Sequence, residues 1–233
     1  MKKYIVSILL LVVIAIPSIA QAVDAHPIGS NVSIDGTVYR NTVKYTSGGD
    51  PSRYRTPYTS AGAFLSYKFN SWATVVPANS ADIELELDNN FDGNHYYPNY
   101  IAPRPGSLIN DKGTVYVITA NARRGFTSEK VFKDLGYTYK YVYPGDTSFL
   151  LTQEPVASST EAHPQGTLVN NKGTLYIMHA GGRVGVPSVA ALESWGYWLS
   201  DAVPSNSSDM ALNETAVLTV RDSTEFDLFF KLQ

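Results

Sequence analysis

The chain has 233 residues, 44% of them hydrophobic and 17% charged, a globular composition that excludes a disordered polymer. Its 18 basic residues stand against 21 acidic ones, so no basic excess exists to neutralise nucleic-acid phosphates. Cysteine is absent, which excludes disulfides, zinc–thiolate and iron–sulfur sites and cysteine nucleophiles. The first predicted element is an export signal over residues 1–22. Lys2 and Lys3 form its positive start, residues 5–20 are almost continuously apolar, and Ala20-Gln21-Ala22 places small residues at the −3 and −1 positions of a cleavage site. The apolar run is shorter than a spanning helix needs, and Pro17 sits near its end. Cleavage after Ala22 predicts a secreted or cell-surface protein, outside the cytoplasm, with no membrane span left. Without disulfides, stability has to come from packing, stacked modules or bound ions.

Self-comparison gives the strongest signal, three copies of one unit. Gly106-Ser107-Leu108-Ile109 precedes Asn110-Asp111-Lys112-Gly113-Thr114-Val115-Tyr116, and Gly166-Thr167-Leu168-Val169 precedes Asn170-Asn171-Lys172-Gly173-Thr174-Leu175-Tyr176. The register persists through Arg123/Arg183, Ser128/Ser188, Gly136-Tyr137/Gly196-Tyr197 and Pro144/Pro204. A weaker first copy has Gly29, Gly36-Thr37-Val38-Tyr39, Arg55, Ser60, Phe64 and Pro77, with an insertion between its Tyr and its Arg and no Gly-Tyr pair. The expected division is a signal at 1–22, unit 1 at 26–86, a linker at 87–103, unit 2 at 104–151, a linker at 152–162, unit 3 at 163–212, and a strand-like cap at 213–233.

Each unit reads as a hairpin followed by a short helix. Asn-Asp-Lys-Gly and Asn-Asn-Lys-Gly are turn formers, with Gly supplying positive φ. Residues 114–119 alternate as a strand does. Residues 121–125 and 180–183 read as loops returning the chain. Ser128 and Ser188 stand as N-caps before the one-sided apolar stripes Val131, Phe132, Leu135 and Val189, Leu192, Trp195. Gly136 and Gly196 fall where a helix ends. An extended segment ending at Pro follows, then a last turn. The fold class is therefore α+β, β-rich, in three tandem hairpin-plus-short-helix units. One unit is too small to bury much alone, so the units are expected to stack or share sheet edges.

This unit resembles a short repeat of secreted and cell-surface bacterial proteins, carried by Gly-Thr-Leu-Val, Gly-Thr-x-Tyr, a basic Arg, a Ser-capped helix and Gly-Tyr. Residues 166–212 match it best and 106–150 nearly as well. The resemblance implies an accessory role at the cell envelope and brings no catalytic residues with it.

Candidate chemistry is sparse. Arg55, Arg123 and Arg183 hold one repeat position and form a row able to bind carboxylates or phosphates of a wall polymer, or else pair within their units. Tyr137, Tyr139, Tyr141 and Tyr143 recur every second residue, and on a strand they would line one face as a platform for sugar rings. Tyr96, Tyr97 and Tyr100 add a second cluster. Asp88, Asn90 and Asp92, with Gly93, fit the first half of a calcium loop, but Asn99 stands where the bidentate Glu belongs. His26 and His163 share a repeat position with Arg104, which argues against a metal ligand or general base there. No hydrolase elbow, P-loop or dinucleotide fingerprint is present. The expected function is an exported non-enzymatic envelope protein that binds a wall glycan or a surface protein. The alternatives are a self-associating surface-layer or appendage component and a wall hydrolase with an unrecognised site.

Overall fold

The structure is a computed structural model and describes residues 23–45, 51–91, 96–98, 100–120 and 122–221. The export signal, Asp92 and residues 222–233 lie outside the described residues.

The protein is β-rich, with three five-stranded mixed sheets of one topology. In the second unit the strands are Leu108–Asp111, Thr114–Ile118, Ala122–Gly125, Val142–Pro144 and Leu151–Thr152. In the third they are Leu168–Asn171, Thr174–His179, Gly182–Gly185, Val203–Pro204 and Asn213–Val217. In the first they are Asn31–Ile34, Thr37–Tyr45, Pro51–Pro57, Val75–Pro77 and Glu86–Leu87. The first three strands of a unit form an antiparallel meander. The fourth then lies parallel beside the first, and the fifth parallel beside the third.

Local chemistry explains the elements. Each opening hairpin turns on a pair of positive-φ residues, Asp35-Gly36, Lys112-Gly113 and Lys172-Gly173, the backbone that suits the strand twist. Asn110 Oδ1 accepts from the Gly113 N–H at 2.8 Å, and Asn170 does the same for Gly173 at 2.7 Å. The short helices Ala61–Ser66, Glu129–Asp134 and Val189–Ser194 carry the chain from third strand to fourth. They start at Ser60, Ser128 and Ser188, whose hydroxyls accept from the third helical N–H. Gly136 and Gly196 end the second and third helices in the left-handed region, as read from sequence.

Three expectations change. Residues 122–125 and 182–185 are strands, not loops, because their backbones complete the ladder with the preceding strand. The tyrosine stripe is not a strand: Gly136 turns the chain, Thr138 caps a 3-10 turn at Tyr139–Tyr141, and only Val142–Pro144 is extended. The stretches read as linkers belong to their units: the fifth strands Glu86–Leu87 and Leu151–Thr152 cross into them, Asn213–Val217 lies in the cap read as strand-like, and each stretch holds one buried anchor. Ile101, Val156 and Leu218 are buried, and their N–H groups donate to the carbonyls of Pro57, Gly125 and Gly185, each at 2.8 Å.

The units pack on one another. Val169, Met178 and Val203 of the third unit share a core with Leu108, Val117, Phe132 and Tyr137 of the second. Thus the helical face of unit 2 covers the sheet face that the third unit's own helix leaves open. Gly62 of unit 1 lies against the Pro144 carbonyl of unit 2, where a Cβ would collide. The circuit closes where Lys68 N–H of unit 1 donates to the Gly196 carbonyl of unit 3 at 3.0 Å, beside Phe69.

Candidate functional site

The repeated arginines sit on the third strands and turn inward to their own units. Arg123 lies 4.6 Å over the Tyr116 ring and donates to Asp111 Oδ2 at 2.9 Å and to the hydroxyls of Thr147 and Thr152. Arg183 lies 4.9 Å over Tyr176 and donates to the carbonyls of Asp209, Met210 and Leu212. Arg55 lies 5.4 Å over Tyr39. The Tyr of each Gly-Thr-x-Tyr is therefore the shelf for its unit's Arg. The N–H and hydroxyl of Thr147 hold the Asp111 carboxyl below the usual range.

A second repeated device was invisible in the histidines alone. His163 is buried, donates its backbone N–H to Asp209 Oδ1 at 2.7 Å, and sets Nδ1 2.7 Å from Oδ2. Its Nε2 donates to the Leu135 carbonyl of unit 2 at 2.9 Å. His26 meets Asp82 in the same way, at 2.8 and 2.5 Å. Each Asp also closes a capping box, with Asn206 or Asn79. Burial raises the Asp82 carboxyl, but hydrogen bonds from Asn79, His26 and Asn41 outweigh it and bring it to about 2; Asp209 is also lowered. The sequence signal was the spacing Pro-x-Asn-x-x-Asp, present in units 1 and 3 with His, and lost from unit 2 together with His.

In unit 2 Arg104 stands in the His position and takes another path, into the junction of the three units. Its Nε donates to the Ser66 carbonyl of unit 1 at 3.0 Å, Nη1 to the Pro105 carbonyl at 3.1 Å, and Nη2 to Asp201 Oδ2 of unit 3 at 3.2 Å. The guanidinium stacks 3.6 Å from the Tyr197 ring centre. Beside it the Lys68 ammonium donates to the Tyr143 hydroxyl and lies 3.6 Å from Asp201. It also lies 5.5 Å from the Tyr141 ring, 4.9 Å from Tyr143 and 5.8 Å from Trp198. Lys68, Arg104, Tyr141, Tyr143 and Asp201 border a cleft of about 50 Å³, with Thr138, Ser200 and Val203 on its wall. Trp198 does not line the cleft and is 50% exposed.

The predicted tyrosines are thus divided. Tyr137, Tyr141 and Tyr143 line the cleft. Of these Tyr137 is buried, with its hydroxyl 2.9 Å from Thr167 Oγ1, and burial pushes its phenol well above the usual range. Tyr139 is half exposed and stacks on Phe132. Trp72 and Leu199, at the matching turn positions, are also half exposed. Arg55, Arg123 and Arg183 do not reach the cleft. Lys68, Arg104, Trp198 and Asp201 were missed, because they stand where the repeats differ.

Asp88 forms an ion pair with Lys44 and accepts from the Thr56 hydroxyl at 3.3 Å. Asn89–Phe91 is a strand paired with Tyr96–Pro98, so that stretch is extended. Asn90 is placed only as backbone, and Asp92 lies outside the described residues. No cluster of three or more His, Asp or Glu among the described residues is placed to hold a metal ion.

No family model matches the chain, and no curated protein matches it. A solved structure of the periplasmic assembly from the ESX-5 inner membrane complex is 13% identical, with a TM-score of 0.19 over 91% of this chain. The match spans 64% of that chain's length, and a TM-score of that size does not establish a common fold. No helix among the described residues is long and apolar enough to cross a membrane.

Proposed function

We propose that the chain is an exported, non-enzymatic repeat protein of the cell envelope that binds a wall glycan at the junction of its three units. The observation that carries this reading is the nearly buried Lys68 cation flanked by Tyr141 and Tyr143, which line the cleft, and by the half-exposed Trp198. Aromatic faces meet the apolar faces of sugar rings, while nearby hydroxyl and charged groups meet their hydroxyls. The predicted export signal and the resemblance to surface-protein repeats support the same location. The partner is a glycan rather than nucleic acid, given the acidic balance of the chain. Calcium at Asp88, Asn90 and Asp92 is a secondary part of this reading, tested by a chelator-sensitive melting temperature.

Mixing the purified protein with purified cell-wall material and sedimenting it tests the reading. Pelleting that Trp198→Ala abolishes is expected. Protein left in the supernatant at all salt concentrations would refute it.

A second reading, self-association into a surface layer or appendage, is favoured by one feature. Leu151 and Val217 lie on fifth strands at sheet edges and are 74% and 58% exposed. Sedimentation velocity separates the two readings: growth of the particle with concentration supports assembly, and a monomer throughout removes it.

A further inference from the structure

We infer that the acidic group of the ligand, a carboxylate or a phosphate ester, enters the junction cleft against the Lys68 ammonium. This rests on the glycan-binding reading above and names the class of glycan. Lys68 and Arg104 share the Asp201 carboxylate. The donors of Arg104 are directed to Ser66, Pro105 and Asp201. Lys68 is less completely matched. An ammonium has three N–H donors. The Tyr143 hydroxyl takes one, and Asp201 at 3.6 Å is beyond a good hydrogen bond. The three aromatic faces favour the charge but offer no oxygen lone pair. The Lys68 side chain is only 10% exposed, so bulk water does little to complete it.

Size and polarity point the same way. The cleft has about 50 Å³, room for a few water molecules. That space accommodates a carboxylate or a phosphate group. Thr138 and Ser200 are exposed on its wall and supply hydroxyl donors to an oxyanion. The ring carrying the acid would lie toward Trp198, which is half exposed. In a site screened from water an oxyanion gains more from the ammonium than it would on an open surface.

The test is a calorimetric titration with matched oligosaccharides. One is neutral, a tetramer of N-acetylglucosamine. The second carries a lactyl carboxylate on alternate residues, and the third a phosphate ester. The acid-bearing oligomers are expected to bind at least about tenfold more tightly than the neutral one. Their affinity should fall as salt rises, while that for the neutral oligomer stays level. The tighter of the two acidic probes identifies the source of the group. Lys68→Met should erase the preference of the acid-bearing oligomers over the neutral one. The salt series on the unaltered protein decides the matter even if that variant fails to fold. Equal affinity for all three, independent of salt, would overturn the inference and leave glycan binding standing. Binding of none would overturn both.

Discussion

At the scale of single residues, Arg123 explains why an arginine recurs. Its guanidinium is pinned between Tyr116, Asp111 and two threonines, so the side chain ties the third strand to the turn that returns from the fourth. Arg123→Met leaves the Asp111 carboxylate short of a donor and is expected to cost about 2–3 kcal/mol in denaturant unfolding. No loss would show that the pair is incidental. The buried aspartates set the acid limit. Asp82, brought to about 2, and Asp209 are lower in the folded state than in the unfolded chain. Their contribution is fully present above the ordinary carboxyl pKa and is lost as pH falls through the folded values. The urea midpoint is therefore expected to hold steady from pH 7 to about 5 and to drop as pH falls below about 4. Asp82→Asn should start lower at pH 7 and fall less on acidification; a slope identical to the parent's would refute the assignment.

At the scale of elements, hairpin turns, serine caps and helix-ending glycines were readable, because each depends on a few adjacent residues with specific backbone demands. Ser128→Ala removes the acceptor for Val131 N–H and should cost about 1 kcal/mol. Gly113 and Gly136 separate conformation from packing. Both have positive φ, but a Cβ on Gly113 meets nothing, whereas one on Gly136 comes within 2.6 Å of Pro204 Cδ. Gly113→Ala should cost about 1–2 kcal/mol from the backbone alone. Gly136→Ala should cost about 1–3 kcal/mol more, because it also pushes units 2 and 3 apart. Equal losses would deny that close approach. The fourth strands were read as extended segments ending at Pro, but the third strands and the short fifth strands were harder to read. They are two to four residues long in units 2 and 3 outside Asn213–Val217, too short for periodicity to register. The four tyrosines misled for a related reason: alternation predicts a strand only where the backbone stays extended, and Gly136 and Thr138 bend it.

At the scale of the whole molecule, the repeat predicted three similar units but not how they meet. The cleft and its rim are built from departures from the repeat: Lys68 replaces the helix-ending glycine, Arg104 replaces His, Asp201 stands where unit 2 has Tyr141, and beside them Trp198 stands where unit 2 has Thr138. Self-comparison rewards sameness and so passes over such positions. Because units 2 and 3 share a core and unit 1 contacts both, heating should give a single calorimetric transition. Separate transitions would show three independent modules.

The central claim is that ligand meets the unit junction rather than the repeated arginines. The most direct measurement is a nuclear magnetic resonance titration of the protein with soluble wall fragments, following the indole N–H of Trp198 and the Nε–H signals of Arg55, Arg123 and Arg183. The account predicts that Trp198 shifts with ligand while the three arginines stay in place. Shifts confined to the arginines, with Trp198 unmoved, would contradict it.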